Sequence, residues 1–75
     1  MHTTDRELAR RAFAEAAGER LIAAGLEKMA RDAALGHGDL SRAERHEERR
    51  QHLAVEARRL NDFADQLRPM EGVAA

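Results

Sequence analysis

Metal or acid–base chemistry in this chain of 75 residues would have to rest on four histidines and a scatter of carboxylates. Glu48 and His52 stand four apart, close enough on a helix to touch one ion. Di-iron helical bundles need more: a Glu-x-x-His spacing on facing helices, with further glutamates turned into the same core. The residues three before His37, His46 and His52 are Ala34, Ala43 and Arg49, none of them a ligand. Glu48 and His52 therefore read as a surface pair, and His37 as a solvated turn residue. The absence of cysteine removes disulfides and thiolate metal sites. No Ser/His/Asp or Cys/His constellation, glycine-rich phosphate loop or Walker pattern is present. The chain is expected to be non-enzymatic, with no catalytic residue, no metal and no cofactor.

The remaining charged residues suggest recognition instead. Glu15 and Glu19 fall on a stripe otherwise built from Leu8, Ala12, Ile22, Leu26, Met29 and Ala33. His46 and Arg50 fall on a second stripe with Ala43, Leu53, Ala57, Leu60, Ala64 and Leu67. Both stripes alternate spacings of three and four, the signature of a helical seam. Arg42, Arg45 and Arg49 share one flank of the second stripe.

Two long helices must carry these stripes. Thr4-Asp5-Arg6-Glu7 has capping-box spacing and acids in the first turn, so a helix is predicted over about 5–35. Gly36 and Gly38 break it, and Ser41-Arg42-Ala43-Glu44 has the spacing to restart one. That places a turn at 36–41 and a second helix over about 42–68, stopped by Pro69, with a flexible tail at 69–75. Strand signals are missing, since β-branched and aromatic residues are scarce. The expected fold is all-α: one domain over 1–75, an antiparallel helical hairpin.

Folding back at the glycines sets Leu8 and Ala12 near Leu67 and Ala64, and Ile22 near Leu53. A weaker apolar strip (Phe13, Ala17, Leu21, Ala24, Leu35) leaves the first helix apolar on a second side, as if it met a second neighbour. Gly18 and Gly25, seven apart, mark either a close helix crossing or glycines that packing tolerates.

Composition says that the hairpin is short of core. Half of its apolar residues are alanine, 16 of 32. A thin pair of helices with so few large side chains needs further help, and oligomerisation is the route left open. Pairing of two hairpins into a four-helix homodimer is therefore expected. Glu15 and Glu19 do not reach His46 or Arg50 within one hairpin, because they sit at different levels. A two-fold pairing could set Glu15 and Glu19 against His46, Arg49 or Arg50 of the second copy and so fix register. The alternative is that these long side chains reach water. The expected dimer or partner interface comprises Leu8, Ala12, Glu15, Glu19, Ile22, Leu26, Met29, His46, Arg49, Arg50, Leu53 and Leu60.

Charge narrows the partners. Formal net charge is −1, and each helical half carries six acids and six bases, so the basic excess of a general nucleic-acid binder is missing. No apolar run approaches the length that spans a bilayer, and no signal-peptide core is seen. A cytoplasmic location and no membrane partner are expected, and the alanine and arginine usage suggests a GC-rich bacterial or phage genome. The first reading is a small self-associating interaction module that regulates, inhibits or adapts a larger, unidentified protein. In size and shape it resembles small secretion co-chaperones and phage-encoded inhibitors. The second reading is a dimeric RNA- or DNA-binding regulator using Arg42, Arg45 and Arg49. In architecture alone, a dimer of hairpins resembles the Rop type, and that resemblance implies structured RNA as the ligand.

Overall fold

The computed structural model describes residues 4–68, and among these the chain is two helices, α1 (Asp5–Gly36) and α2 (Leu40–Gln66), with no strand. The expectation of a flexible tail at 69–75 lies outside the described residues. No described helix is long and apolar enough to cross a membrane.

The start of α1 follows the sequence signal. Thr4 is extended, and its hydroxyl accepts a hydrogen bond from the Glu7 backbone N–H at 3.1 Å. At the other end, helical geometry runs through Gly36, and His37 is the cap. Gly38 then adopts φ +74°. The Asp39 N–H donates to the Ala34 carbonyl at 2.9 Å and the Gly38 N–H to the Leu35 carbonyl at 3.0 Å, the two bonds of a Schellman motif. Of the two glycines in the break, only Gly38 needs to be one. Gly38→Ala is expected to cost about 1–2 kcal/mol of hairpin stability, the penalty of a Cβ in the left-handed region. Gly36→Ala, in open space on a helical backbone, is expected to be neutral or stabilising by about 1 kcal/mol. Equal thermal midpoints for the two variants, followed by circular dichroism, would contradict this assignment.

The same turn corrects the expected start of the second helix. Asp39, not Ser41, is the N-cap: its carboxylate accepts from the Arg42 N–H at 3.1 Å. The Schellman motif already holds Asp39 against the end of α1, so α2 begins at Leu40 and the turn is His37-Gly38-Asp39. A second tie closes the open end of the hairpin. The Arg6 guanidinium donates from Nε to the Leu67 carbonyl and from Nη2 to the Gln66 carbonyl, both at 3.0 Å. It caps carbonyls that the end of α2 leaves unpaired.

The seam between the helices is made of alanine. Among the described residues, Ala17, Ala24 and Ala34 of α1 and Ala43, Ala57 and Ala64 of α2 are the buried apolar ones, and no larger side chain is fully buried. The expected α2 stripe faces α1: Ala43, Ala57 and Ala64 are buried, and His46, Arg50, Leu53, Leu60 and Leu67 are half-buried. The expected α1 stripe does not face α2. Leu8, Ala12, Ile22, Leu26, Met29 and Ala33 are exposed, so Leu8 and Ala12 do not pack on Leu67 and Ala64, nor Ile22 on Leu53. The side turned inward is instead Arg10, Phe13, Ala17, Arg20, Ala24, Glu27, Arg31 and Ala34, all buried or half-buried. Phe13 meets Phe63 with ring centroids 5.5 Å apart.

Electrostatics explains which strip won. Turning the Leu/Ile/Met strip inward would bring Glu19 over the Ala57 level and bury carboxylates with no cation opposite, which is costly. The alanine strip carries Arg20, Glu27 and Arg31, each with an opposite charge on α2 at its own level, and only Arg10, whose buried Nε has no partner among the described residues, goes without. Gly18 and Gly25 are also absent from the α1–α2 contact, since nothing lies within 4 Å of a Cβ added at either.

Candidate interaction surface

The residues expected to form an interface divide into two groups. Leu8, Ala12, Glu15, Glu19, Ile22, Leu26 and Met29 lie together on the outer face of α1, turned away from α2. Exposure is 53% at Leu8, 70% at Ile22, 61% at Leu26 and 68% at Met29, high for side chains of this size. Leu21, at 54%, borders the same face. Glu15 and Glu19 divide this face, with Leu8 and Ala12 before them and Ile22, Leu26 and Met29 after.

The second group, on α2, is occupied within the hairpin. Leu53 and Leu60 are half-buried in the seam. His46 Nδ1 donates to Glu27 Oε2 at 2.6 Å, and Arg49 Nε lies 3.3 Å from Glu27 Oε1. Arg50 grips Glu47 one turn earlier, and Arg31 Nη1 reaches the same carboxylate at 2.6 Å. Arg20 Nε donates to Glu56 at 2.8 Å, and His52 turns to Glu56 at 2.7 Å rather than to Glu48. Thus His46, Arg49 and Arg50, the bases expected to meet Glu15 and Glu19 of another copy, already have acids inside their own chain. A heptad reading of α1 from Arg10 would have found this array, because Arg20, Glu27 and Arg31 recur at seam spacing.

The array sets the acid behaviour of the fold. The Arg50 guanidinium, with Arg31 behind it, holds the Glu47 carboxyl at about 2, down from 4.5. Glu27 is lowered chiefly by its hydrogen bond from His46, and Glu56 by that from Arg20. All three groups bind protons more weakly in the folded chain than when unfolded. Their stabilisation is therefore present above the unfolded carboxylate range and is lost as pH falls, for Glu47 between 4.5 and about 2. The thermal midpoint is expected to fall steadily from pH 5 to pH 2, and Glu47→Gln to flatten that slope. An acid slope unchanged by the substitution would contradict the assignment.

Arg42, Arg45 and Arg49 do come together, as expected from their spacing. With His37 and His46 they line an open groove of about 610 Å³, floored by Ala30, Ala33 and Ala34 of α1. Asp39 is at its end, occupied in capping α2. Arg49 is shared with Glu27, whereas Arg42 and Arg45 have no acidic partner among the described residues. Ala33 belongs both to the groove and to the outer strip of α1, so groove and strip are continuous. No cluster of three potential metal ligands occurs among the described residues.

Compared with protein-family models, with curated proteins and with solved structures, the chain matches none significantly.

Proposed function

We propose that the chain is a non-enzymatic helical interaction module that self-associates through the outer face of α1. The observation that carries this reading is the inverted distribution of apolar residues. The seam of the hairpin holds six buried alanines, while Leu8, Leu21, Ile22, Leu26 and Met29 stand on the outside. Burying a large aliphatic side chain contributes about 1.5–3 kcal/mol, and alanine much less. The hydrophobic stabilisation available to this sequence is thus mostly unrealised in a single hairpin. A second copy laid along α1 supplies it and needs no other surface of the hairpin. The outer side of α2, with Glu44, Glu48, Gln51, Arg59 and Asp62 around a single exposed Val55, offers no comparable apolar strip.

Sedimentation equilibrium with interference optics tests the reading directly, since the chain lacks tryptophan and tyrosine and absorbs little at 280 nm. The expected result is twice the chain mass of 8.4 kDa at micromolar concentration, with dissociation on dilution. The mass of one chain at every concentration up to the millimolar range would contradict it.

A further inference from the structure

Resting on that reading, we infer how the second copy sits: Glu15 and Glu19 of each chain enter the arginine groove of the other, against Arg42 and Arg45. Four observations lead to this pairing. Glu15 and Glu19 are exposed carboxylates in the middle of an apolar strip, with no cation opposite them in their own hairpin. Arg42 and Arg45 are the groove cations that lack an acid among the described residues. The groove opens beside Ala30 and Ala33, next to the Leu26 edge of the same strip. The apolar cluster Leu21, Ile22, Leu26 and Met29 is centred near Gly25, where nothing lies within 4 Å of an added Cβ and another backbone could approach.

An antiparallel, two-fold pairing of α1 with its copy, centred between Gly25 and Leu26, stacks Ile22 on Met29 of the partner subunit. Levels along the rod then follow from the helix rise. At 1.5 Å per residue, Glu19 and Glu15 lie roughly 10 and 16 Å from the axis. On the other chain, the Arg20–Glu56 and Phe13–Phe63 contacts fix the register of the hairpin. That register puts Arg45 beside Arg31 and Arg42 beside Ala34, roughly 8 and 13 Å from the axis by the same rise. Carboxylate and guanidinium are mismatched by a few ångströms at each level, within the reach of the two side chains. The symmetry also sets the correct side. A two-fold axis across an antiparallel pair keeps each flank of the strip on its own side of the dimer. Glu19 and Ala30 lean to the same flank of α1, the one on which Arg42 and Arg45 project. A two-fold interface makes each contact twice, so four carboxylates meet four guanidiniums. In a parallel pairing Glu15 and Glu19 would face their own copies and repel.

The test is a charge swap read by sedimentation and by mixing. Glu15→Arg/Glu19→Arg and Arg42→Glu/Arg45→Glu are each expected to raise the dimer dissociation constant about tenfold or more, because like charges then face one another. An equimolar mixture of the two variants restores opposite charges at both ends. It is expected to form a heterodimer within about threefold of the wild-type affinity. Recovery in the mixture also shows that neither variant has failed to fold. Variants that dimerise as tightly as wild type, or a mixture that remains monomeric, would overturn the pairing. So would a labelled single-stranded RNA whose binding is lost in Arg42→Glu/Arg45→Glu while self-association is unchanged, which would assign the groove to nucleic acid. These outcomes leave self-association itself standing, whereas a wild-type monomer at every concentration removes that as well.

Discussion

Replacing Ala57 by leucine is expected to open the hairpin. Ala57 is 1% exposed and Ala17 of the facing helix is equally buried, so the two helices meet where neither side chain extends beyond a methyl group. Three more carbons at that point must push the helices apart or force a strained rotamer, and overpacking of this kind costs about 1–3 kcal/mol. The consequence reaches beyond one contact. The Arg20–Glu56 bridge lies beside Ala57 along α2, and a wedge at Ala57 moves Glu56 away from its arginine. For a unit this small, such a loss is a large share of total stability. Thermal and urea unfolding followed at 222 nm would register it as a lower midpoint. Ala14→Leu, on an exposed position of α1, is the control and is expected to stay within about 0.5 kcal/mol of wild type. Equal midpoints for Ala57→Leu and Ala14→Leu would show that the alanine seam does not set the helix separation.

The second large effect belongs to the outer face. If the outer face joins two copies as proposed, Ile22→Asp/Met29→Asp leaves separate chains at concentrations where wild type is assembled. Each of these side chains is more than two-thirds exposed in the single hairpin and touches no part of the seam. The substitutions therefore remove little from the hairpin itself. A few side chains at the centre of an interface carry most of its energy, and a two-fold interface loses each of them twice, so weakening by about a thousandfold or more is expected. A buried carboxylate without a cation adds to that cost. Helix content measured at high concentration separates dissociation from unfolding. If the double variant sediments as wild type does, the face is not the interface.

How far the sequence led depends on which residues carried the signal. The turn was legible because Gly36 and Gly38 break the helical pattern and Gly38 takes a positive φ; the helix expected from about 42 begins at Leu40 because Asp39, held by the turn itself, caps it ahead of Ser41. The inward side of α2 was legible because Leu53, Leu60 and Leu67 alternate with alanines at seam spacing and no rival strip exists on that helix. On α1 there were two strips, and side-chain size favoured the wrong one. Size could not decide, because alanines suffice for a close seam and the charges settle which face is tolerable there. Arg20, Glu27 and Arg31 have partners on α2, whereas Glu15 and Glu19 do not. Pairing of charges between helices depends on their relative level and rotation, which a linear pattern does not contain.

The charges on the two helices divide by where their partners lie. His46, Arg49 and Arg50 belong to the hairpin, where they tie α2 to α1 or to its own preceding turn. Among the described residues, Arg42 and Arg45 are the groove cations without an acidic partner, and Glu15 and Glu19 are the carboxylates of the outer strip without a cation. The apolar strip between these two sets is the part of the molecule whose burial would stabilise it most.

Met29 offers a reporter placed on that strip. Its thioether is exposed in one hairpin and covered when a second copy lies along α1. The rate at which hydrogen peroxide oxidises Met29, followed by peptide mass spectrometry across a dilution series, reads the face itself rather than the mass of the particle. Slow oxidation is expected at high protein concentration, rising toward the rate of free methionine as the chains dilute apart. Oxidation of Met29 at the free-methionine rate throughout the series would contradict it.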